Sequence, residues 1–261
     1  MTKKLVYNFY LTRGTKDSDI NRLHLKCIEL FSSVFDEMLF LISVDDMNDI
    51  GLIKDIEYKL LKLHTKGNIT FKIVKNTELR ETEAFKNEIV DKMPEDKLVF
   101  FAHNKGVTNV ATYDKETILY WVAGMYYFSL NYIHEVEYLL TQREIISYGS
   151  MLTKNAESNI KYNWSYIGTF FWVNSGSLYN HIKHFNIELP VCSNRFYDEE
   201  FLGNIYPIEY YPKSHDCRYI INAVDYYKYA KEYIKIIYEG HGLAEFDDFF
   251  NEIINELNIT F

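Results

Sequence analysis

The sequence predicts an α/β fold on a mainly parallel central sheet, and three observations predict it. Apolar runs of strand length alternate with amphipathic helical stretches through the first half of the chain, which implies right-handed βαβ units. The run Leu98-Val-Phe-Phe-Ala-His103 is apolar until it meets polar residues and Gly106, as a strand buried on both faces does. The second half turns helical and aromatic, which predicts a helical C-terminal extension.

Each element follows from its own signals. Leu5–Leu11 reads as the first strand, with Arg13-Gly14 as the turn out of it. Asp17 or Ser18 caps a helix to about Phe35, with Ile20, Leu23, Cys27 and Leu30 on one face. Met38–Val44 is a second strand ending in Asp45-Asp46, and a helix from Asp49 to Leu63 stops at Lys66-Gly67. Ile69–Val74 is a third strand, Glu81–Met93 a third helix, and the Leu98–His103 strand comes next. One long helix is expected from Asp114 to about Arg143, then short strands within Glu144–Leu152 and Trp164–Val173. Further helices begin near Ser175 and Asp198, and two C-terminal ones, Ala223–Tyr238 and Glu245–Leu257, flank Gly240-His-Gly242. No repeat or low-complexity linker interrupts the chain. The expected organisation is one domain over 1–215 with the extension 216–261 packed on it.

Composition narrows the function classes. The 261 residues carry a net charge of −9 without a basic run, which disfavours a nucleic-acid partner. No apolar stretch reaches the roughly 18 residues of a membrane span. Cys27, Cys192 and Cys217 are odd in number and fit no metal-ligand spacing, and no apolar leader follows Met1-Thr-Lys-Lys4. The expected location is the cytoplasm. The 23 Tyr residues offer stacking faces for sugars or bases, or reflect biased codon usage.

Ligands of open α/β sheets bind beyond the carboxyl ends of the strands, so the candidate site starts at His103, Lys105 and Gly106. An imidazole, an ammonium and a residue that admits close backbone approach suit a diphosphate. The alternative is a surface strand end whose His103 bonds to backbone.

The order and spacing of four segments resemble a group of bacterial and viral glycosyltransferase-like proteins. They are His103-Asn-Lys105-Gly106, a helical Trp121, Trp164-Ser-Tyr-Ile-Gly168-Thr-Phe-Phe-Trp172, and Arg195-Phe-Tyr-Asp-Glu199-Glu-Phe201-Leu202-Gly203. The resemblance spans about residues 95–205; Phe171 and Phe201 stand where that family has Trp. His64-Thr-Lys66-Gly67 repeats the first tetrapeptide at a predicted helix end, so position after a buried strand carries the information. The resemblance implies a single Rossmann-like domain of GT-A type, a UDP- or GDP-sugar donor, and a glycan or lipid-linked acceptor. With the logic of the fold it puts Asp45 or Asp46 near the base or ribose, and the loops after strands one and three, with Tyr10, Thr12 and Arg13 and with Asn76 and Arg80, would border the same pocket. Tyr10 would stack on the base, Asp45 would bond ribose or base unless it caps a helix, and Arg80 would reach phosphate or pair with Glu83.

Most enzymes of that fold hold a divalent cation on an Asp-x-Asp where this chain has His103 and Lys105. Lys105 can meet phosphate directly as a point charge, so a transferase with reduced or no metal dependence is expected. Mn²⁺ or Mg²⁺ stays open through Asp45-Asp46 or His215-Asp216. Glu199 matches the family's general base, with Glu200 or Asp198 next to it in register; macrodipole complementation at a helix start is the alternative. Trp164, Tyr166, Phe170 and Trp172 are expected on one strand face. Thr169 is expected to contact the donor sugar, and Asn174 to bond sugar hydroxyls or cap a helix.

The expected function is sugar transfer from a nucleotide-sugar to a glycan or lipid-linked acceptor, in polysaccharide biosynthesis. The alternative is a non-catalytic nucleotide- or glycan-binding module on the same fold. A dinucleotide oxidoreductase is disfavoured because no Gly-x-Gly-x-x-Gly follows the first strand. The Tyr226–Lys235 helix sets the limit of membrane contact: peripheral, at the inner face near a lipid-linked acceptor, or else simply solvated.

Overall fold

Four parallel strands form the frame. They are β1 (Lys3–Leu11), β2 (Glu37–Val44), β3 (Asn68–Lys75) and β4 (Leu98–His103). The computed structural model describes residues 1–63, 67–77, 80–92, 95, 97–104, 114–142, 145, 147–150, 152–154, 164–166, 168–187, 202, 212–213, 231–232, 234–236, 238–239 and 242–261, with backbone alone at 80–82, 153–154, 164–165 and 212–213. β2 and β4 flank β1 in parallel register, with Asn8 opposite Leu41 on one side and His103 on the other. β8 (Phe171–Asn174) runs antiparallel to β4, and β5 (Ser147–Gly149) antiparallel to β8. β9 (Pro212–Lys213) closes the order β3-β2-β1-β4-β8-β5-β9, and β6 (Leu152–Lys154) pairs with β7 (Trp164–Tyr166) apart from it.

Strand alternation divides the core into two layers. On one face Leu5, Tyr7, Phe9, Phe40, Ile42, Phe100 and Trp172 pack with α1 (Asp19–Phe31), α2 (Ile50–Leu61) and α4 (Lys115–Leu130). On the other, Val6, Leu39, Leu41, Val99 and Phe101 meet Phe85 of α3 (Arg80–Phe85) and Leu178 and Ile182 of α6 (Ser175–Phe185). Ser18 and Asp49 cap α1 and α2 through their side chains. α3 runs on into a π-helical turn at Lys86–Val90.

Two expectations need correction. The long helix from Asp114 is two: α4 ends at Leu130, and α5 (Ile133–Leu140) follows after Asn131 and Tyr132. α4 is buried from Ile118 to Leu130, whereas α5 buries only Val136 and Leu140, so the chain turns as it passes from core to surface. The aromatic stretch also does not share one face. Gly168 (φ 87°) and Thr169 (φ 61°) break it, leaving Tyr166 in the α3 layer and Phe170 and Trp172 in the α4 layer. A Cβ on Gly168 would sit 2.2 Å from Met125 Sδ, so both φ and space demand glycine there.

The C-terminal helix α7 (Leu243–Glu256) packs Phe246 and Phe250 edge-on against Tyr120, at 4.8 and 5.0 Å between ring centroids. The boundary at 215/216 lies outside the described residues. No described helix is long and apolar enough to cross a membrane.

A buried triangle of hydrogen bonds ties β1 to α1 and α4. His24 Nδ1 lies 2.9 Å from both the Tyr7 and Tyr126 hydroxyls, which are 3.0 Å apart. Burial raises both phenols well above their ordinary value near 10; the Tyr126 hydrogen bond only partly offsets this at Tyr7. The unfolded chain gives up those protons near pH 10 and the folded chain keeps them, so their contribution to stability is complete below about pH 10 and declines above it. Urea unfolding between about pH 7 and 11 should show stability falling above pH 10, and falling less steeply in Tyr126→Phe. A flat profile to pH 11 in the native chain would contradict it.

Candidate functional site at the carboxyl edge of the sheet

The carboxyl ends of β1, β2 and β3 meet in one hydrogen-bonded cluster. Asp45 accepts from the Tyr10 hydroxyl at 2.9 Å and from Asn76 Nδ2 at 3.0 Å. Parallel pairing sets Val44 opposite Lys75, so Asp45 and Asn76 leave β2 and β3 side by side, and Tyr10, opposite Ser43, reaches Asp45 from two positions back. Tyr10, Asp45 and Asn76, each expected at the nucleotide, therefore stand together. Asp46 is turned aside, accepting from the Asn48 backbone N–H at 2.9 Å.

Beyond β4 the chain is clamped by Asn104, which is buried. Its Oδ1 accepts from the Tyr10 N–H at 2.8 Å, and its Nδ2 donates to the Tyr10 carbonyl at 2.6 Å and to Asn21 Oδ1 at 2.9 Å. A side-chain amide thus extends the β1–β4 ladder by one step, at the point where strand order reverses. Asn21 continues the network to the Thr15 carbonyl at 2.7 Å, which fixes the loop after β1.

His103 is buried as well, and its Nε2 lies 2.9 Å from the Gly168 carbonyl. A carbonyl only accepts, so Nε2 carries the proton. The imidazole holds the turn into β8 and is bonded to backbone, as the alternative reading had it, but inside the protein rather than on its surface. Thr169 stands on the same edge with its side chain buried, and its N–H donates to the Tyr166 carbonyl at 3.0 Å. Its place is in the turn before β8.

Arg13 forks onto Asp49, with Nε at 2.8 Å and Nη2 at 3.2 Å. That hydrogen bond raises Arg13 and lowers Asp49, and Asp49 also caps α2. Arg80 opens α3, its side chain outside the described residues, and Glu83 accepts from the Thr77 hydroxyl at 2.5 Å. Between this edge and α3 lies a cleft of about 260 Å³ whose lining includes Asn8, Leu41, Ser43, Val74 and Asn87. On its wall, burial would raise Glu88, but bonds and charge from Lys72 and Lys92 outweigh it and hold the carboxylate below its usual range.

Asn174 is not at this edge. β8 runs antiparallel, so its exit falls at the amino end of β4, opposite Leu98. There Asn174 caps α6, accepting from the Ser177 N–H at 3.1 Å. Lys105, Gly106, Glu199, Glu200 and His215-Asp216 lie outside the described residues. Among the described residues no group of three or more His, Cys, Asp or Glu side chains is placed to hold a metal ion. Sequence reasoning missed Asn104, Asn8 and Ser43 as site residues. For Asn8 and Ser43 the available signal was a polar side chain inside an otherwise apolar strand, since a buried polar group is the informative exception, and Asn104 directly follows β4.

No family model and no curated protein sequence matches the chain. Among solved structures, 4-diphosphocytidyl-2C-methyl-D-erythritol synthase from Anaerococcus prevotii is 12% identical with a TM-score of 0.42, over 90% of this chain and 99% of that one. S. aureus TarS 1-349 is 14% identical with a TM-score of 0.41, over 79% of this chain and 55% of that one. S. aureus TarS gives 12% and 0.36, over 78% of this chain and 34% of that one. Function is therefore read from this chain's own residues.

The Asn104 clamp makes a direct prediction. Asn104→Ala removes three hydrogen bonds and strands the Tyr10 backbone groups, so it should cost about 2–3 kcal/mol in urea unfolding. Amide exchange at Tyr10 should accelerate with it. A loss under about 0.5 kcal/mol would mean that the clamp is dispensable.

Proposed function

We propose that the chain is a transferase that moves a sugar from a UDP- or GDP-sugar to a hydroxyl of a glycan or lipid-linked acceptor. One observation carries the reading most: the polar ends of β1 to β4 come to one edge, with the β1–β4 point of strand reversal where open α/β sheets take nucleotides, and a cleft lined by β1, β2, β3 and the α3 segment lies on the β1–β3 side. Asp45, steadied by Tyr10 and Asn76, is the acceptor for ribose hydroxyls or a base N–H. Lys105 follows directly on the clamped Asn104 and supplies the charge for the diphosphate, while His103 orients the facing turn.

The reaction is written as an inverting displacement. The acceptor oxygen bonds to the anomeric carbon as Glu199, or Glu200 in its place, takes the hydroxyl proton. The bond from that carbon to the phosphate oxygen breaks, and the nucleoside diphosphate leaves with the electron pair. Charge grows on the leaving phosphate, and a fixed ammonium there lowers the barrier. The proposal needs no metal, with Mn²⁺ or Mg²⁺ as the alternative. A second reading, a binding module without turnover, draws support from His103 being committed to backbone.

Three measurements test this. Incubation with UDP- and GDP-sugars should release free nucleoside diphosphate, and binding without release would favour the module. Glu199→Gln should lower transfer by about 10²-fold or more while leaving the donor-induced melting shift intact. Transfer should survive excess chelator, and a loss that Mn²⁺ restores would overturn the metal-free form.

A further inference from the structure

The cleft between the sheet and α3 has polar groups on two sides. Ser43 and Lys75 come from β2 and β3, Thr77 follows β3, and Glu83, Asn87 and Glu88 come from the helical side. The π-helical turn Lys86–Val90 carries Asn87 and Glu88, and such turns are frequent at functional sites. Part of this polar lining is already engaged. Thr77 donates to one oxygen of Glu83, and Lys72 and Lys92 hold the two oxygens of Glu88. The side chains of Ser43, Lys75 and Asn87 make no hydrogen bond or ion pair among the described residues. Ser43 is only 5% exposed, yet its hydroxyl, unlike Asn8 Oδ1, is not sealed from solvent.

Size and charge narrow what the cleft takes. Its volume of about 260 Å³ falls below the roughly 300–1,000 Å³ of sites for drug-sized molecules, so one small ring fits and a whole nucleotide does not. An anion would meet Glu83 and Glu88, and a cation would meet Lys75, with Lys72 and Lys92 paired to Glu88. A neutral ligand avoids both. Among the described residues no aromatic side chain lines the cleft, which removes the stacking face that a flat base uses. A saturated ring with hydroxyls on its rim suits what is present. It finds donors and acceptors on two walls, and Leu41, Val74 and Ala84 meet its C–H surface.

We propose that this cleft is a sugar subsite holding one neutral, hydroxyl-bearing ring, with Ser43 and Asn87 as its unengaged polar contacts. The inference goes beyond the transfer reaction, because the subsite needs neither nucleotide nor turnover. A unit of a glycan and the ribose of a nucleotide share this chemistry, and the experiment tells them apart.

Saturation-transfer NMR on the whole chain, with glucose, N-acetylglucosamine, ribose, uracil and adenine each at about 10 mM, tests it. At least one sugar should receive saturation. Ala84→Leu, which fills the cleft from α3, should cut that signal about fivefold or more. A larger response from a hexose assigns the ring to a glycan, and a larger one from ribose assigns it to a nucleotide. No response from any sugar overturns the proposal, as does a response that Ala84→Leu leaves intact, or one confined to uracil or adenine. Should Ala84→Leu not fold, Asn87→Leu carries the same comparison on the same wall. Diphosphate release from UDP- or GDP-sugars without a sugar response removes the subsite alone. A sugar response without that release keeps the subsite and removes the transferase reading.

Discussion

Strand direction is the constraint on which the rest of this structure depends. β1 lies between β2 and β4, and all three run the same way, so their carboxyl ends reach one edge together. β4 continues on the opposite side of β1 from β2 and β3, which makes that edge a place of divergence. Asn104 bridges it by giving β1 an amide where no further strand residue follows. The antiparallel β8 then returns Gly168 and Thr169 to the same edge and carries Asn174 away from it.

The parts with the plainest physical causes were legible in the sequence. β1 to β4 are strand-length runs with clear boundaries, and Ser18, one of the two caps expected, announces its helix by capping it. Tyr10, Asp45 and Asn76 were each expected at one pocket beyond these strands, and the hydrogen bonds that join them are a finding of the structure. What stayed hidden depended on tertiary geometry. Nothing local says that the strand before Asn174 runs backward, so a residue expected at the site went to the far edge. The positive φ values at Gly168 and Thr169 exchange the faces of the aromatics around them, which simple alternation cannot register. Asn131 and Tyr132 divide a helical pattern because the chain must leave the core there, and periodicity alone does not record burial.

The site separates rigid from chemical parts. Its described polar atoms largely serve to hold one another: Asp45 with Tyr10 and Asn76, Asn104 with Tyr10 and Asn21, His103 with Gly168. Groups locked in this way make a precise frame and cost little reorganisation when a ligand arrives. Lys105 and Glu199, the residues proposed to touch the reacting atoms, lie outside the described residues.

Hydrogen exchange of the whole chain, with and without UDP- and GDP-sugars, tests the central claim most directly. A nucleotide seated across the carboxyl edge should slow exchange in peptides covering residues 8–13, 43–49, 74–88 and 100–108. The amino edge around Lys97 and Asn174 should stay unchanged. Protection at the amino edge, or none in those four peptides while the nucleotide demonstrably binds, would contradict the account.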